Sequence, residues 1–346
     1  MFFNFYHTMT FSLRNLSISS LSFLLAAAFC PPLSSCANSK TVDRGTDTTA
    51  TAERRQGKAG GPQLGTPGGG PVIDKSSDAV LQAMIRTEVP EFEQFQFEDA
   101  VTGKTLVYSL FTPKLFDASR QYPLVLFMAD ASTPGGDATR PLTQGYGALV
   151  WATDQWQSEH PCYVLVPQFS GVAVNDAYEH TDEVDMVARL VESFAESHSV
   201  DKSRIYTTGQ SMGGMISMYY NSAYPDLFAA SIFVDCHWDS ATFPELVKHK
   251  FTFITAGKAG TFGALEQAAD NAGVRYEYAE WSAKLPQEEQ DNLASALLAK
   301  GAPINIINFA SKTVLPADGK GSEHMYSFDY AYRLTPVREW LFNQSK

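Results

Sequence analysis

Short apolar runs that alternate with amphipathic helical segments limit the fold of this chain more than any other feature of its sequence. The run "YPLVLFMAD" (122–130) has the length of a strand and no polar face, which is typical of a strand buried on both sides. The segment "EVDMVARLVESFAESHSV" has apolar residues from Val184 to Phe194 at helical spacing. Similar patterns predict further strands at 106–113, 162–168, 204–209, 229–235, 251–257, 274–281 and 304–310, and helices at 213–221, 265–272, 288–300 and 333–344. This order predicts an α/β fold, in which a mostly parallel central sheet carries helices on both faces.

Composition and charge set the broad class of protein. The chain has 346 residues, of which 44% are hydrophobic and 12% aromatic, enough to build a sizeable core. Its formal net charge is −12 and it has no basic run, which argues against binding to a nucleic-acid backbone. The composition therefore predicts a globular protein without a nucleic-acid partner.

The N-terminus has the pattern of an export signal. Arg14 is the only charged residue among the first 35, and the apolar segment "LSISSLSFLLAAAF" that follows it is too short for a comfortable membrane span. The tetrad "LSSC", which ends at Cys36, resembles the bacterial lipobox, in which cleavage before the cysteine leaves its thiol to carry a lipid. We therefore expect residues 1–35 to be a lipoprotein signal peptide. Cys36 would then carry the lipid anchor of an exported cell-envelope protein, located in the periplasm or at the outer membrane. The alternative is an ordinary secretory signal with an incidental cysteine.

A polar segment separates this signal from the apolar runs. Residues 36–76 contain almost no large apolar side chains and end in a Gly/Pro cluster, so we expect a disordered linker there and the folded domain at 77–346. Within the domain, Cys162 and Cys236 are too few for a disulfide framework and lack metal-ligand spacing. We expect both to be buried small hydrophobic residues, with a single bridge between them left open.

One serine stands between two glycines at the end of a predicted strand. The segment "RIYTTGQSMGG" (204–214) runs from that strand into Gly-Gln-Ser-Met-Gly and then into a predicted helix. In this context the glycines let the backbone turn sharply, so that Ser211 is exposed as a nucleophile. Met212 begins the predicted helix, and its N–H lies beside the serine. The alternative is a glycine-rich structural turn that happens to contain a hydroxyl.

Longer stretches around this serine resemble one family of enzymes. The sequences "LVYSLFTPKLFDASRQYPLVLF", "VDKSRIYTTGQSMGGM" and "EHMYSFDYAYRLTPVREWLF" are similar to α/β-hydrolases of the secreted esterase, "predicted peptidase" and polyhydroxybutyrate-depolymerase-like type, over roughly residues 95–346. The resemblance implies the α/β-hydrolase fold and serine-hydrolase chemistry, with catalytic residues in the order serine, acid, histidine. It places the general base at His324, in a predicted polar loop before the terminal helix.

The acid departs from the family pattern. The family carries an aspartate after the strand that here is "FTFITAG", whereas this chain continues with Lys258, Ala259 and Gly260. Asp235, at the end of the neighbouring predicted strand, is the first candidate for the acid. Asp239 is the second, although its position also suits a helix N-cap. Ser211 and His324 acting as a dyad remains open as well, while Asp318 and Glu323, on either side of His324, are expected to face water.

The oxyanion hole shows a second departure. The family often has His-Gly after its third strand, where this chain has Ala129 and Asp130. Because the donor is a backbone N–H, either residue can still serve, paired with the Met212 N–H.

These features predict a serine hydrolase that cleaves a small-molecule or polymeric carboxylic ester, or an amide, through an acyl-enzyme on Ser211. The sequence has no metal cluster, nucleotide loop or redox motif, so it implies no cofactor. The missing acid leaves a second hypothesis open, in which a catalytically impaired relative binds a glycan or peptide at the cell envelope. The substrate and the oligomeric state have no signal in the sequence.

Overall fold

The computed structural model describes residues 63–69, 72–257 and 260–346 of the chain. The predicted signal peptide, Cys36 and most of the predicted linker lie outside these residues. Within the described ranges, no helix is both long and apolar enough to cross a membrane.

Nine strands form one sheet in the order β1-β2-β4-β3-β5-β6-β7-β9-β8. The strands are β1 (Glu93–Glu98), β2 (Thr105–Phe111), β3 (Tyr122–Met128), β4 (Tyr163–Gln168), β5 (Val200–Gln210), β6 (Ala230–Val234), β7 (Phe251–Ala256), β8 (Tyr276–Trp281) and β9 (Ile304–Phe309). The pairs from β4 to β8 are parallel, and β1 and β2 extend the sheet with antiparallel pairs. The predicted mostly parallel sheet is therefore confirmed.

Helices cover both faces of this sheet. They are α1 (Ala79–Glu88), α2 (Arg140–Thr143), α3 (Tyr146–Leu149), α4 (Asp154–Glu159), α5 (Asp182–Ser197), α6 (Met212–Ala223), α7 (Phe243–Leu246), α8 (Thr261–Ala272), α9 (Gln287–Leu298), α10 (Glu323–Arg333) and α11 (Thr335–Phe342). On β3, Leu124, Leu126 and Met128 pack in the cluster under α5–α8, whereas Val125 and Phe127 pack in the cluster under α1–α4 and α9–α11. This alternation explains why the strand is apolar along its whole length.

Part of the predicted linker is folded onto the domain. The N–H of Gly65 donates to Val172 O at 2.9 Å, and the N–H of Gly69 donates to Ala131 O at 3.1 Å. Further along, Lys75 forms an ion pair of 2.6 Å with Asp329 of α10. The folded unit thus begins before residue 77, because these backbone groups find partners in the loops after β3 and β4.

Candidate active site

A sharp turn between β5 and α6 presents Ser211. Its backbone has φ 49° and ψ −116°, a strained conformation for a residue other than glycine. Close packing explains the flanking glycines, since a Cβ on Gly213 would collide with the backbone of Met128 and one on Gly209 with the backbone of Gly213. The structure therefore places Ser211 on an elbow at the carboxyl end of the parallel strands, as the motif predicts.

Ser211, His324 and Asp235 lie in one chain of short contacts. Ser211 Oγ is 2.9 Å from His324 Nε2, and His324 Nδ1 is 3.2 Å from Asp235 Oδ1. A proton on Nδ1 can donate to the Asp235 carboxylate, which leaves Nε2 to accept from the Ser211 hydroxyl. The three residues that the sequence singled out are thus brought together, in the geometry that nucleophilic catalysis by serine requires.

The Asp235 carboxylate is held at the end of β6. Asp235 is buried, with 8% of its surface exposed. Its backbone φ of 42° turns the side chain toward α10. Oδ2 accepts from Ser327 Oγ at 2.6 Å, and Oδ1 accepts from Thr255 Oγ1 at 3.4 Å. These hydroxyls fix the carboxylate so that Oδ1 faces the imidazole. The sequence contained no signal for Ser327, which contacts the acid from one turn below His324 on the same helix.

His324 lies in a helix and not in the predicted loop. It occupies the first turn of α10, whose buried face carries Ser327, Phe328 and Ala331. Polar residues before position 323 favoured a loop, but the amphipathic spacing after it extends the helix back to the histidine. The helix orients the imidazole, because its ring packs edge-on against Phe328 at 5.0 Å between ring centroids.

The other acidic candidates have different partners. Asp239 caps the short 3-10 helix Ser240–Thr242 by accepting from the Ala241 N–H at 2.9 Å, as its sequence context suggested. Glu323, expected to face water, accepts instead from the Lys312 N–H and from Ser311 Oγ in the loop after β9. Asp318 is exposed, and its carboxylate accepts from the Lys320 N–H. Lys258 and Ala259, at the family's acid position, lie outside the described residues.

The predicted oxyanion donors lie at the start of α6 and in the loop after β3. Met212 begins α6, so its N–H belongs to the first turn, where N–H groups lack partners within the helix. The Asp130 N–H, however, donates to Gln144 Oε1 at 3.3 Å, and the same oxygen accepts from Gln210 Nε2 at 2.8 Å. Asp130 could therefore serve an oxyanion only if Gln144 moved away, and Ala129, buried beside it, stays the second predicted donor.

Two cavities are lined by residues of this site or by their neighbours. One, of about 440 Å³, is lined by His324 and Asp235 together with Tyr178, Trp238 and Phe243. The other, of about 370 Å³, lies between the residue 72–76 segment and the loop after β3, and Asp130 and Arg140 line it. Within the described ranges, no group of three or more His, Cys, Asp or Glu residues could hold a metal ion.

The two cysteines of the domain are both free and buried. Burial raises the pKa of the Cys162 thiol to about 12. Burial also raises the pKa of Cys236 well above its usual value, and the neighbouring Asp235 charge acts in the same direction. Cys236 therefore stays a protonated thiol next to the site, which makes it a poor nucleophile.

Comparison with known proteins supports the fold. No family model matches the chain. The crystal structure of a thermostable esterase superposes with a TM-score of 0.58 at 25% identity, and the match covers 75% of this chain and 64% of that protein. The feruloyl esterase module from Clostridium thermocellum gives a TM-score of 0.49 at 11% identity, over 73% of this chain and 88% of that module.

One sequence relative agrees with the match to the thermostable esterase. Over 82 residues the chain is 29% identical to poly(3-hydroxyalkanoate) depolymerase C from Paucimonas lemoignei. The matched stretch covers 21% of this chain and 20% of the depolymerase. The chain thus spans about a fifth of this curated relative and less than two thirds of the thermostable esterase. The α/β-hydrolase fold and the resemblance to its esterase-type members, both predicted from the motifs, are confirmed.

Proposed function

We propose that this chain, which has the α/β-hydrolase fold, is a serine hydrolase that cleaves carboxylic esters through an acyl-enzyme on Ser211. One observation carries the proposal: the continuous contacts from Ser211 Oγ to His324 Nε2 and from His324 Nδ1 to Asp235 Oδ1, at 2.9 and 3.2 Å. The esterases among its structural and sequence neighbours support the hydrolase class.

The proposed reaction assigns one role to each residue. His324 Nε2 takes the proton from Ser211 Oγ as the oxygen attacks the ester carbonyl, and Asp235 stabilises the imidazolium that forms. His324 then gives this proton to the leaving alcohol, and in the second half of the reaction it activates the water that releases the acid. The N–H groups of Met212 and Ala129 are the proposed donors to the carbonyl oxygen as it becomes negative.

Labelling by a fluorophosphonate probe tests the proposal, because the probe reacts only with an activated serine. We expect the wild-type chain to be labelled and to hydrolyse a short-chain aryl ester, and Ser211→Ala to lose both. Ser222→Ala is the matched control: its hydroxyl lies on α6 and bonds only to helix carbonyls, so labelling and turnover should persist. An unlabelled wild-type chain would support the alternative of a binding protein without turnover.

We also propose that the protein is exported and anchored by a lipid on Cys36. The "LSSC" tetrad and the apolar segment before it support this proposal. Cys36→Ala should move the protein from the membrane fraction to the soluble fraction of cells. Retention of the variant in the membrane fraction would overturn it.

A further inference from the structure

The loop between β4 and α5 holds Tyr178 in a conformation that a tyrosine rarely adopts. Its φ is 64°, in the left-handed region that favours glycine. Asn175 closes the loop, since its Oδ1 accepts from the N–H groups of Ala177 and Glu179 at 3.0 and 3.1 Å. The N–H of Tyr178 donates to Asn175 O at 3.0 Å. The loop therefore fixes the backbone at the cost of strain in one bulky residue.

The ring that this backbone supports is partly exposed at the surface. Tyr178 is 39% exposed, whereas Trp238, whose ring centroid is 5.6 Å from it, is 5% exposed. The ring centroid of His237 lies 6.1 Å from that of Tyr178. Glycine would relieve the backbone strain, although it would also remove the part of the ring that packs against Trp238. Strained residues that line a binding site commonly have a role in binding.

Tyr178 lines the cavity that also contains His324. This cavity has a volume of about 440 Å³, and Cys236, Phe243 and Ala264 are among the residues that line it. A site of this size fits a single ring-bearing group. Since His324 passes its proton to the leaving alcohol, the alcohol portion of an ester must lie on the imidazole side of Ser211.

We infer that Tyr178 contacts the alcohol portion of the substrate and selects esters whose alcohol carries a ring with an apolar face. The inference rests on the proposed esterase function. The exposed ring of Tyr178 offers a flat surface on which an aryl ring packs by stacking or edge-on, with the Trp238 ring behind it.

Three esters separate this role from its alternatives. Benzyl acetate carries the ring on the alcohol, ethyl phenylacetate carries it on the acid, and ethyl acetate carries none. In Tyr178→Gly we expect kcat/KM for benzyl acetate to fall about three- to tenfold, as for the loss of one aromatic pair, and for the other two esters to change less than about twofold. Tyr178→Phe keeps the ring and should retain the preference for benzyl acetate.

Two controls exclude a merely structural effect. Tyr278→Ala removes a tyrosine of similar exposure, 36%, from β8, and should leave all three kcat/KM values unchanged. The thermal midpoint of Tyr178→Gly measures the packing against Trp238 that is lost, which the relief of strain at φ 64° offsets only in part. A lower midpoint with equal losses on all three esters would make Tyr178 a packing residue and overturn the inference. A loss confined to ethyl phenylacetate would overturn it too, because it would place the ring on the acid side.

A binding measurement keeps the inference separate from the proposed function. In the Ser211→Ala background, saturation-transfer NMR should detect the ring protons of benzyl acetate on the protein, and the added Tyr178→Gly change should weaken this signal. If the wild type hydrolyses none of the esters, the esterase proposal fails, and the NMR result alone decides whether Tyr178 binds the ring. Equal signals in the two variants would overturn the role of Tyr178.

Discussion

Ser211 and Asp235 are each fixed by a hydrogen bond to the next strand of the sheet. The Ser211 N–H donates to Val234 O at 3.0 Å, and the Asp235 N–H donates to Ile254 O at 2.7 Å. Both residues have positive φ, so each turns its side chain out of the sheet where the regular ladder ends. Because the sheet sets these two positions, the distance from the serine to the acid depends on rigid elements, and His324 only has to reach between them.

The role of Asp235 can be tested against a matched aspartate four residues away. Asp235→Asn should lower kcat for an ester by about two to four orders of magnitude with KM nearly unchanged, because an amide cannot stabilise the imidazolium. The thermal midpoint should stay close to that of the wild type, since the shape of the side chain is kept. Asp239→Asn is the control, and it should keep both activity and stability because asparagine caps a helix as well as aspartate does. Full activity in Asp235→Asn would leave Ser211 and His324 as a dyad.

At the scale of single residues, the sequence predicted the serine and the histidine but only ranked the acids. The elbow motif is local, so its surroundings are visible in the printed chain. The acid depends on which strand end α10 approaches, and that is decided by packing between segments almost a hundred positions apart. Ser327 was missed for the same reason: a serine on a helix face has no pattern of its own until Asp235 lies opposite it.

Among the elements, buried strands were easier to predict than exposed ones. Strands β3, β4, β6, β7 and β9 are buried along almost their whole length, so their sequences are continuous apolar runs. Strand β1, "EQFQFE", is an exposed edge strand without such a run, and it was not predicted. The short helices α2, α3 and α4 were also missed, because four to six residues are too few to show a helical period.

A buried ion pair joins the end of β1 to α5. Arg189 Nε and Nη2 donate to the two oxygens of Asp99 at 2.7 and 2.8 Å, and the Asp99 side chain is 1% exposed. This guanidinium holds the pKa of Asp99 well below its ordinary value of 3.8. The contribution of the pair to stability is therefore complete above pH 3.8 and is lost as the pH falls through the lowered pKa of the folded state.

This linkage predicts how Asp99→Asn behaves with pH. The variant should have a lower thermal midpoint than the wild type at pH 7, since the partly buried Arg189 guanidinium loses its charged partner. The difference should be constant from pH 7 to about pH 4 and should shrink below it, as the wild-type carboxylate becomes protonated. Circular-dichroism melting curves at several pH values measure it, with Asp182→Asn as the control: this carboxylate pairs with Lys104 at the surface and should matter little. A difference that grows toward low pH would contradict the assignment.

For the molecule as a whole, the loops at the carboxyl ends of the strands share one support. The segment at residues 63–69 contacts the loop after β3 and the loop after β4. The first of these loops carries Ala129, one of the two proposed oxyanion donors, and the second carries Tyr178. The polar, glycine-rich composition predicted a linker here. The structure differs because this segment is held through backbone hydrogen bonds, which leave no trace in side-chain composition.

Two shortened chains test whether this segment belongs to the catalytic unit. A chain that begins at Gln63 should match the full chain in thermal midpoint and in kcat for an ester. A chain that begins at Ser77 loses the ion pair of Lys75 and four backbone hydrogen bonds to the loops after β3 and β4, those donated by Gly65, Gly68, Gly69 and Val172. At about 1 kcal/mol each, and offset in part by the entropy of ordering the segment, these bonds should contribute about 2 kcal/mol to the free energy of unfolding.

The shorter chain should accordingly melt about 4–8 °C lower. Its kcat should fall by about ten- to a hundredfold, more than the small loss of folded protein explains, because a shift of about 1 Å in the loop after β3 misplaces the oxyanion donors. A chain that keeps the segment but carries Lys75→Met separates the backbone hydrogen bonds from the ion pair. Its backbone bonds remain, so its kcat should match that of the full chain even though the ion pair with Asp329 is lost. If the chain that begins at Ser77 keeps the kcat of the full chain, the loop after β3 holds its shape through Arg140, Gln144 and Gln168 alone, and the segment only covers the cavity beside it.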